Sequence, residues 1–228
     1  MYCMNSRTEL FVNDEYYHVY NRGVDKRDVF ADKIDLRRFF QSMEEFNAVE
    51  PIGSIYENTF KKDEDLPLGN GRLVEFVAFC LNPNHYHFIL RQIAGGGISE
   101  FMKRLGGGYT KYFNERHKRS GVLFQGRYKV KHVENNDYLL HLSAYVNLNF
   151  RVHKLELGRP TSKLVKSSWD EYTTDDNETK KDKNFCVKDV ILGQFKNKKE
   201  YLNFAEDALG TMLIRKENEK EIGDLTLE

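Results

Sequence analysis

Two histidines one residue apart, His85 and His87 in "FCLNPNHYHFIL" (79–90), interrupt a run otherwise apolar enough to be a buried β-strand. Side chains alternate along an extended strand, so residues two apart share one face, about 7 Å from each other. Two imidazoles projecting together from an apolar surface are either histidines satisfied within the protein or two ligands of a metal ion. The second case needs a third protein ligand from another element, with a nucleophile or an activated water beside the ion. Cys3, Cys80 and Cys186 lie far apart with no C-x-x-C, so neither a disulfide framework nor a thiolate zinc site is indicated, and Cys80 reads as a small core residue.

A tyrosine nucleophile on a helix would share its face with a ligand four residues later. Among the thirteen tyrosines, Tyr109, Tyr112 and Tyr138 are followed at that spacing by Phe113, Arg116 and Leu142, none of which binds a hard cation. Tyr145 is followed by Asn149, and Tyr172 by Asp176, the latter pair in a polar stretch. Tyr17 with Asn21 and Tyr128 with His132 keep the count but fall on apparent strands, where four apart is a different geometry.

The elements that must position these groups follow from periodicity. "EYYHVYNRGV" (15–24) alternates as a first strand, in which His18 reads as a core residue or, less simply, as a support behind the metal ligands. "DLRRFFQSMEEFNAV" (35–49) has helical spacing with Asp35 as its cap. "IGSIYENTF" and "RLVEFVAFCL" read as strands around a polar insertion at 61–72, and "NPN" supplies the turn before the histidine strand. Residues 98–119 form a helix in which Gly106, Gly107 and Gly108 mark either a break or a close approach to its backbone. Tyr109 and Tyr112 read as packing residues on it. "GVLFQGRYKVKHV" (121–133) alternates as a strand with Arg127, Lys129 and Lys131 in line, and 135–155 is a third helix. This order predicts an α+β fold: a ferredoxin-like sandwich, a mainly antiparallel sheet with helices packed on one side. The main domain is expected over 1–172, a polar linker over 173–184, and a small helical C-terminal appendage with a frayed tail over 185–228.

The 228 residues are 40% hydrophobic and 31% charged, the composition of a globular chain with one sizeable core. No run approaches the ~18 apolar residues of a membrane span, and "MYCMNSRTELF" lacks the features of a secretion signal, so a cytoplasmic protein is expected. Net charge is zero, but between Lys103 and Lys131 nine cationic residues face one acid, Glu115, with aromatics interleaved. That mixture suits phosphate contact and base stacking on single strands; the plainer alternative is a solvated face.

"LNPNHYHFIL", "YTKYFNERHKRSGVLFQGRYKVKHVENNDYLL" and "AYVNLN" together resemble the single-tyrosine HUH transposases, in particular the REP-associated tyrosine transposase branch. "YNRG" (20–23), "FQGRYK" (124–129) and "SSWDEY" (167–172) are similar to further family segments, so the resemblance spans roughly residues 15–172. It implies that His85, His87 and Asn149 bind a divalent metal, magnesium or manganese, and that Tyr145 attacks DNA. The implied reaction cuts single-stranded DNA next to a hairpin through a 5′-phosphotyrosine with a free 3′-OH, and rejoins strands. Arg22, Arg127, Lys129 and Lys131 are the expected phosphate contacts. The resemblance admits a monomer or a homodimer. The alternative on the same scaffold is a domesticated, non-catalytic DNA-hairpin binder or repressor. Tyr86 stands where the family usually has an aliphatic residue, and Phe150 where proline is common.

Overall fold

The computed structural model describes residues 10–53, 55, 71–152, 163–174 and 185–225, with side chains described as far as residue 216. In chain order the main elements are β1 (Tyr16–Arg22), α1 (Lys33–Glu45), β2 (Val74–Asn82), β3 (His85–Gln92), α2 (Gly97–Arg116), β4 (Lys129–His132), α3 (Asn136–Asn147), α4 (Asn149–Val152), β5 (Lys166–Ser167), α5 (Trp169–Thr173), α6 (Asp189–Leu192) and α7 (Lys198–Leu225). The sheet order is β4-β1-β3-β2-β5, with every neighbouring pair antiparallel. Through β4 this is the strand-helix-strand-strand-helix-strand arrangement of ferredoxin-like folds, extended by β5 at one edge.

Alternation assigns each strand residue to a face. Tyr17 and Val19 of β1, Phe76, Phe79 and Leu81 of β2, and Tyr86, Phe88 and Leu90 of β3 pack with Leu36, Phe39 and Met43 of α1 and with Phe101, Leu105 and Tyr109 of α2. Val77, Ala78, Cys80 and Ile89 face the other way, into a second core with Leu139, Leu142 and Val146 of α3, Ile191 of α6, and Tyr201 and Ala205 of α7. A register shift between Phe76 and Ala78 puts both Val77 and Ala78 on that second face. Helices therefore cover both sides of the sheet, not one side as expected. The reason lies in the strands themselves: β2 is apolar on both faces and would leave a bare surface if helices sat on only one.

Other expectations shift for local reasons. The side chain of Asp32, not Asp35, caps α1, accepting from the N–H groups of Ile34 and Asp35 at 2.8 and 3.0 Å. Asp35 is buried and accepts from Arg116 at 2.5 Å and His117 at 2.9 Å, tying α1 to the end of α2. Helix α2 runs unbroken through its three glycines. A Cβ on Gly108 would lie 2.6 Å from Phe46 Cζ, so close approach explains that glycine, whereas Gly106 and Gly107 have no neighbour within 4 Å. Gly126 takes a φ of +67°, and the alternation read over 121–133 becomes a strand only at Lys129–His132. The helix expected over 135–155 divides at Leu148 into α3 and α4. The tail expected to fray is helical as far as Leu225. Most of the strand read at 52–60, the insertion from 61 to 70 and the linker from 175 to 184 lie outside the described residues. No helix among the described residues is long and apolar enough to cross a membrane.

Candidate active site

A two-residue turn, Pro83-Asn84, joins β2 to β3 and sets Asn82 directly opposite His85. From there, alternation sends Cys80 and Asn82 of β2 and His85 and His87 of β3 to the face covered by α3. His18 and Tyr20 of β1 lie on the same face, Tyr20 being the register partner of His87.

His85 is held from both ends. Its Nδ1 lies 2.6 Å from Asn84 Oδ1, an oxygen that only accepts, so the ring proton sits on Nδ1 and Nε2 presents a lone pair. That Nε2 is 3.1 Å from Asn149 Oδ1 and 3.0 Å from Asn82 Nδ2, and Asn82 Nδ2 also donates to Asn149 Oδ1 at 2.8 Å. His87 Nδ1 is 2.9 Å from His18 Nε2, and its ring stacks on Tyr20 with centroids 5.4 Å apart. Burial lowers the pKa of His85, and burial with the nearby Lys131 charge lowers that of His18 to about 4. Both imidazoles are neutral at pH 7, the form that binds metal.

Tyr145 projects from α3 toward this group. Its ring stands edge-on to His87 at 5.5 Å and to His18 at 6.1 Å between centroids. Burial raises the phenol's pKa, and an interaction with Asn149 opposes the rise. Asn149 opens α4, one residue past the Leu148 cap, yet its side chain still reaches His85. Asn149 Nδ2 makes no complete hydrogen bond among the described residues. Behind α3, Asn147 is fixed by Ser168, which donates to its Oδ1 at 2.5 Å, and by Tyr201 Oη, which accepts from its Nδ2 at 2.9 Å. The site is thus anchored to β2, β3 and α7 together. Cys80 belongs to the core, its thiol pushed up to about 12 by burial.

Side chains expected to touch phosphate fall into two groups. Lys129 and Lys131 are exposed on edge strand β4, paired in register with Tyr20 and His18 and so on the same face as the histidines. Arg22, at the end of β1, is hydrogen-bonded to Gln125 and lies opposite His85. Arg127 is separate: it precedes the strand, rests over the Tyr128 ring at 5.5 Å, and lines a groove of about 790 Å³ with Lys103, Gly107, Lys111 and Asn114. Sequence reasoning missed Asn82 and Asn84, read there only as turn residues, and favoured core for His18, which is buried and also bonded to His87. The signal for Asn82 and Asn84 is their place around a two-residue turn, which puts Asn82 across from the first histidine and Asn84 beside it.

Two imidazoles and one amide oxygen make up the candidate metal-binding set. No group of three His, Cys, Asp or Glu side chains suited to a metal occurs among the described residues, and the oxygen donor beside His85 is the amide of Asn149. The donors fit a hard or borderline divalent ion, since Nε2 of His85 and Oδ1 of Asn149 already converge at 3.1 Å.

Residues 68–149, which end on Asn149, match the family model described as transposase, IS200-like. A search of curated proteins finds no match. Among solved structures, the chain is similar to a REP-associated tyrosine transposase bound to a REP hairpin, with a TM-score of 0.43 and 14% identity over 74% of this chain and 84% of that one. It is also similar to a protein of Deinococcus radiodurans R1 whose structure is described as a putative transposase, with a TM-score of 0.36 and 16% identity over 57% of this chain and 86% of that one.

Proposed function

We propose, from the premise that this chain carries the segment of an IS200-like transposase, that it is an HUH-type, metal-dependent single-stranded DNA endonuclease and strand transferase. It would cut beside hairpins and rejoin strands through Tyr145. The observation that carries this reading is the convergence of four side chains from β3, α3 and α4. The Tyr145 ring lies 5.5 Å from His87, while Asn149 Oδ1 lies 3.1 Å from His85 Nε2. Pure binding of DNA requires none of this arrangement.

His85, His87 and Asn149 are the protein ligands, two neutral imidazoles and a neutral amide that leave an ion's full charge in place. Bound there, magnesium or manganese supplies Lewis acidity toward phosphate oxygens. Tyr145 keeps its proton at neutral pH, because burial holds its pKa above the ordinary value of 10.0. In the reaction the phenolic oxygen bonds to phosphorus as the bond from phosphorus to the 3′ oxygen breaks. The phenol's proton passes to solvent and the departing oxygen takes one up, giving a 5′-phosphotyrosine and a free 3′-OH. One phosphodiester replaces another, so the step runs backwards to rejoin strands without ATP.

Lys129, Lys131 and Arg22 are the phosphate contacts on the site's own face, and Arg127 would reach DNA from the groove on the α2 side of the sheet. Replacing Lys129 and Lys131 together by alanine should weaken single-stranded binding and make the slope of log K against log salt shallower by about 1.4, the release expected from two phosphates. Fluorescence anisotropy at several salt concentrations reads this directly. His18 orients His87, so His18→Leu should weaken manganese binding about 10- to 100-fold, while His18→Gln, which still offers a hydrogen bond, should retain most of it.

The deciding experiment incubates the full chain with end-labelled hairpin DNA bearing a single-stranded flank, with manganese or magnesium, and resolves the products under denaturing conditions. A covalent protein–DNA band that needs the metal is the expected result. Binding without any band would point to the repressor alternative, and cleavage without a band to water as the nucleophile.

A further inference from the structure

We infer that Asn82 is a fourth protein ligand of the candidate metal site, through the oxygen of its amide. The inference rests on the metal-site reading above and adds a residue to it.

Asn82 is fully buried at the end of β2. Its Nδ2 donates to Asn149 Oδ1 at 2.8 Å and lies 3.0 Å from the lone-pair nitrogen of His85, while those two acceptors lie 3.1 Å apart. The three atoms form a nearly equilateral triangle. Ligands at about 2.1 Å in an octahedral site are separated by about 3 Å when adjacent. The triangle therefore has the dimensions of one face of an octahedron, with the position of the amide nitrogen at its third corner.

Nitrogen at that corner cannot bind a cation, because an amide NH₂ has no lone pair to give. Oxygen can. A half-turn of the Asn82 amide exchanges the two atoms, and little resists it. Among the described residues, the other end of the amide receives only a weak bond from Cys80 Sγ at 3.8 Å, and the sulfur accepts from an N–H about as weakly as it donates to an oxygen. In the present orientation one NH₂ group serves two acceptors. With a cation between them, Oδ1 becomes the favourable atom at the same corner, and no backbone movement is needed.

The test is manganese binding by the full chain, measured by calorimetry and by loss of the free-ion signal in electron paramagnetic resonance. It compares wild type, His85→Ala, Asn82→Leu and Asn82→Asp. Asn82→Leu should weaken binding at least about tenfold. Asn82→Asp should tighten it several-fold and enlarge the rise in melting temperature that manganese produces, because its carboxylate is an oxygen ligand that lacks a partner until the ion is bound. A purely structural role would not reverse sign between the two. If Asn82→Leu binds within twofold of wild type, or more tightly, while His85→Ala does not bind, Asn82 is no ligand and the metal site stands without it. If Asn82→Leu does not fold, no gain in affinity for Asn82→Asp overturns the inference. If His85→Ala binds as wild type does, or wild type takes up no manganese, the metal-site reading fails and this inference with it.

Discussion

Tyr145→Phe removes one oxygen and should abolish the covalent DNA adduct, lowering its formation by more than roughly 10³-fold, as deletion of a covalent nucleophile does. The phenyl ring keeps the edge-on contacts with His87 and His18, so fold and hairpin affinity should change little. The Tyr145 hydroxyl has no part in the Asn147–Ser168–Tyr201 network that anchors α3. Melting temperature and DNA affinity are therefore the controls. An adduct that survives the substitution would move the nucleophile elsewhere, with Tyr20, stacked on His87, the next to test. An adduct lost together with DNA binding would mean that the phenol holds substrate and does not attack it.

The second large effect is on stability and lies behind the site. Tyr201 of α7 is wholly buried against Trp169, Tyr172, Phe195 and Phe204. Its hydroxyl accepts from Asn147 Nδ2 at 2.9 Å and lies 3.1 Å from Ser143 Oγ, whose own proton goes to the Leu140 carbonyl. Tyr201→Ala should cost about 3–5 kcal/mol through lost burial and the cavity left behind. For a chain of this length that corresponds to roughly 6–20 °C in melting temperature. Tyr201→Phe keeps the ring but strands Asn147 Nδ2, and should cost about 1–3 kcal/mol. Urea melts of both variants give the comparison. Equal losses would mean that the ring contributes nothing beyond its hydroxyl.

How far the site could be read from sequence depended on which physical signal each residue carries. His85 and His87 were visible as a pair because strand periodicity is two, and alternation alone puts them on one face. Tyr145 and Asn149 were different: spacing was also met by Tyr172 with Asp176, though in a polar stretch, and the family resemblance gave the first pair its roles. Asn82 was invisible for a further reason. Its role depends on pairing across a turn, and "NPN" carries the same composition whether or not its first residue faces a histidine. The order of elements along the chain was legible, yet the second helical layer was not, because a strand buried on both faces reads as a plain apolar run. Asp32 and Asp35 are chemically alike and three residues apart. Arg116, more than eighty residues away, bonds both, and it is the added contacts of Asp35 with His117 and the Ala31 N–H that place Asp35 in the interior and leave Asp32 as the cap.

The clasp between α7 and α3 also bears on the order in which the chain is made. A polypeptide still emerging from the ribosome, or one halted by a stop codon ahead of residue 201, exposes Asn147 and Ser143 to water, and the helix carrying Tyr145 lacks its rear support. The helix that carries Tyr145 thus takes its final packing from a residue 54 positions beyond Asn147 and 58 beyond Ser143, so its geometry is fixed only after α7 has docked.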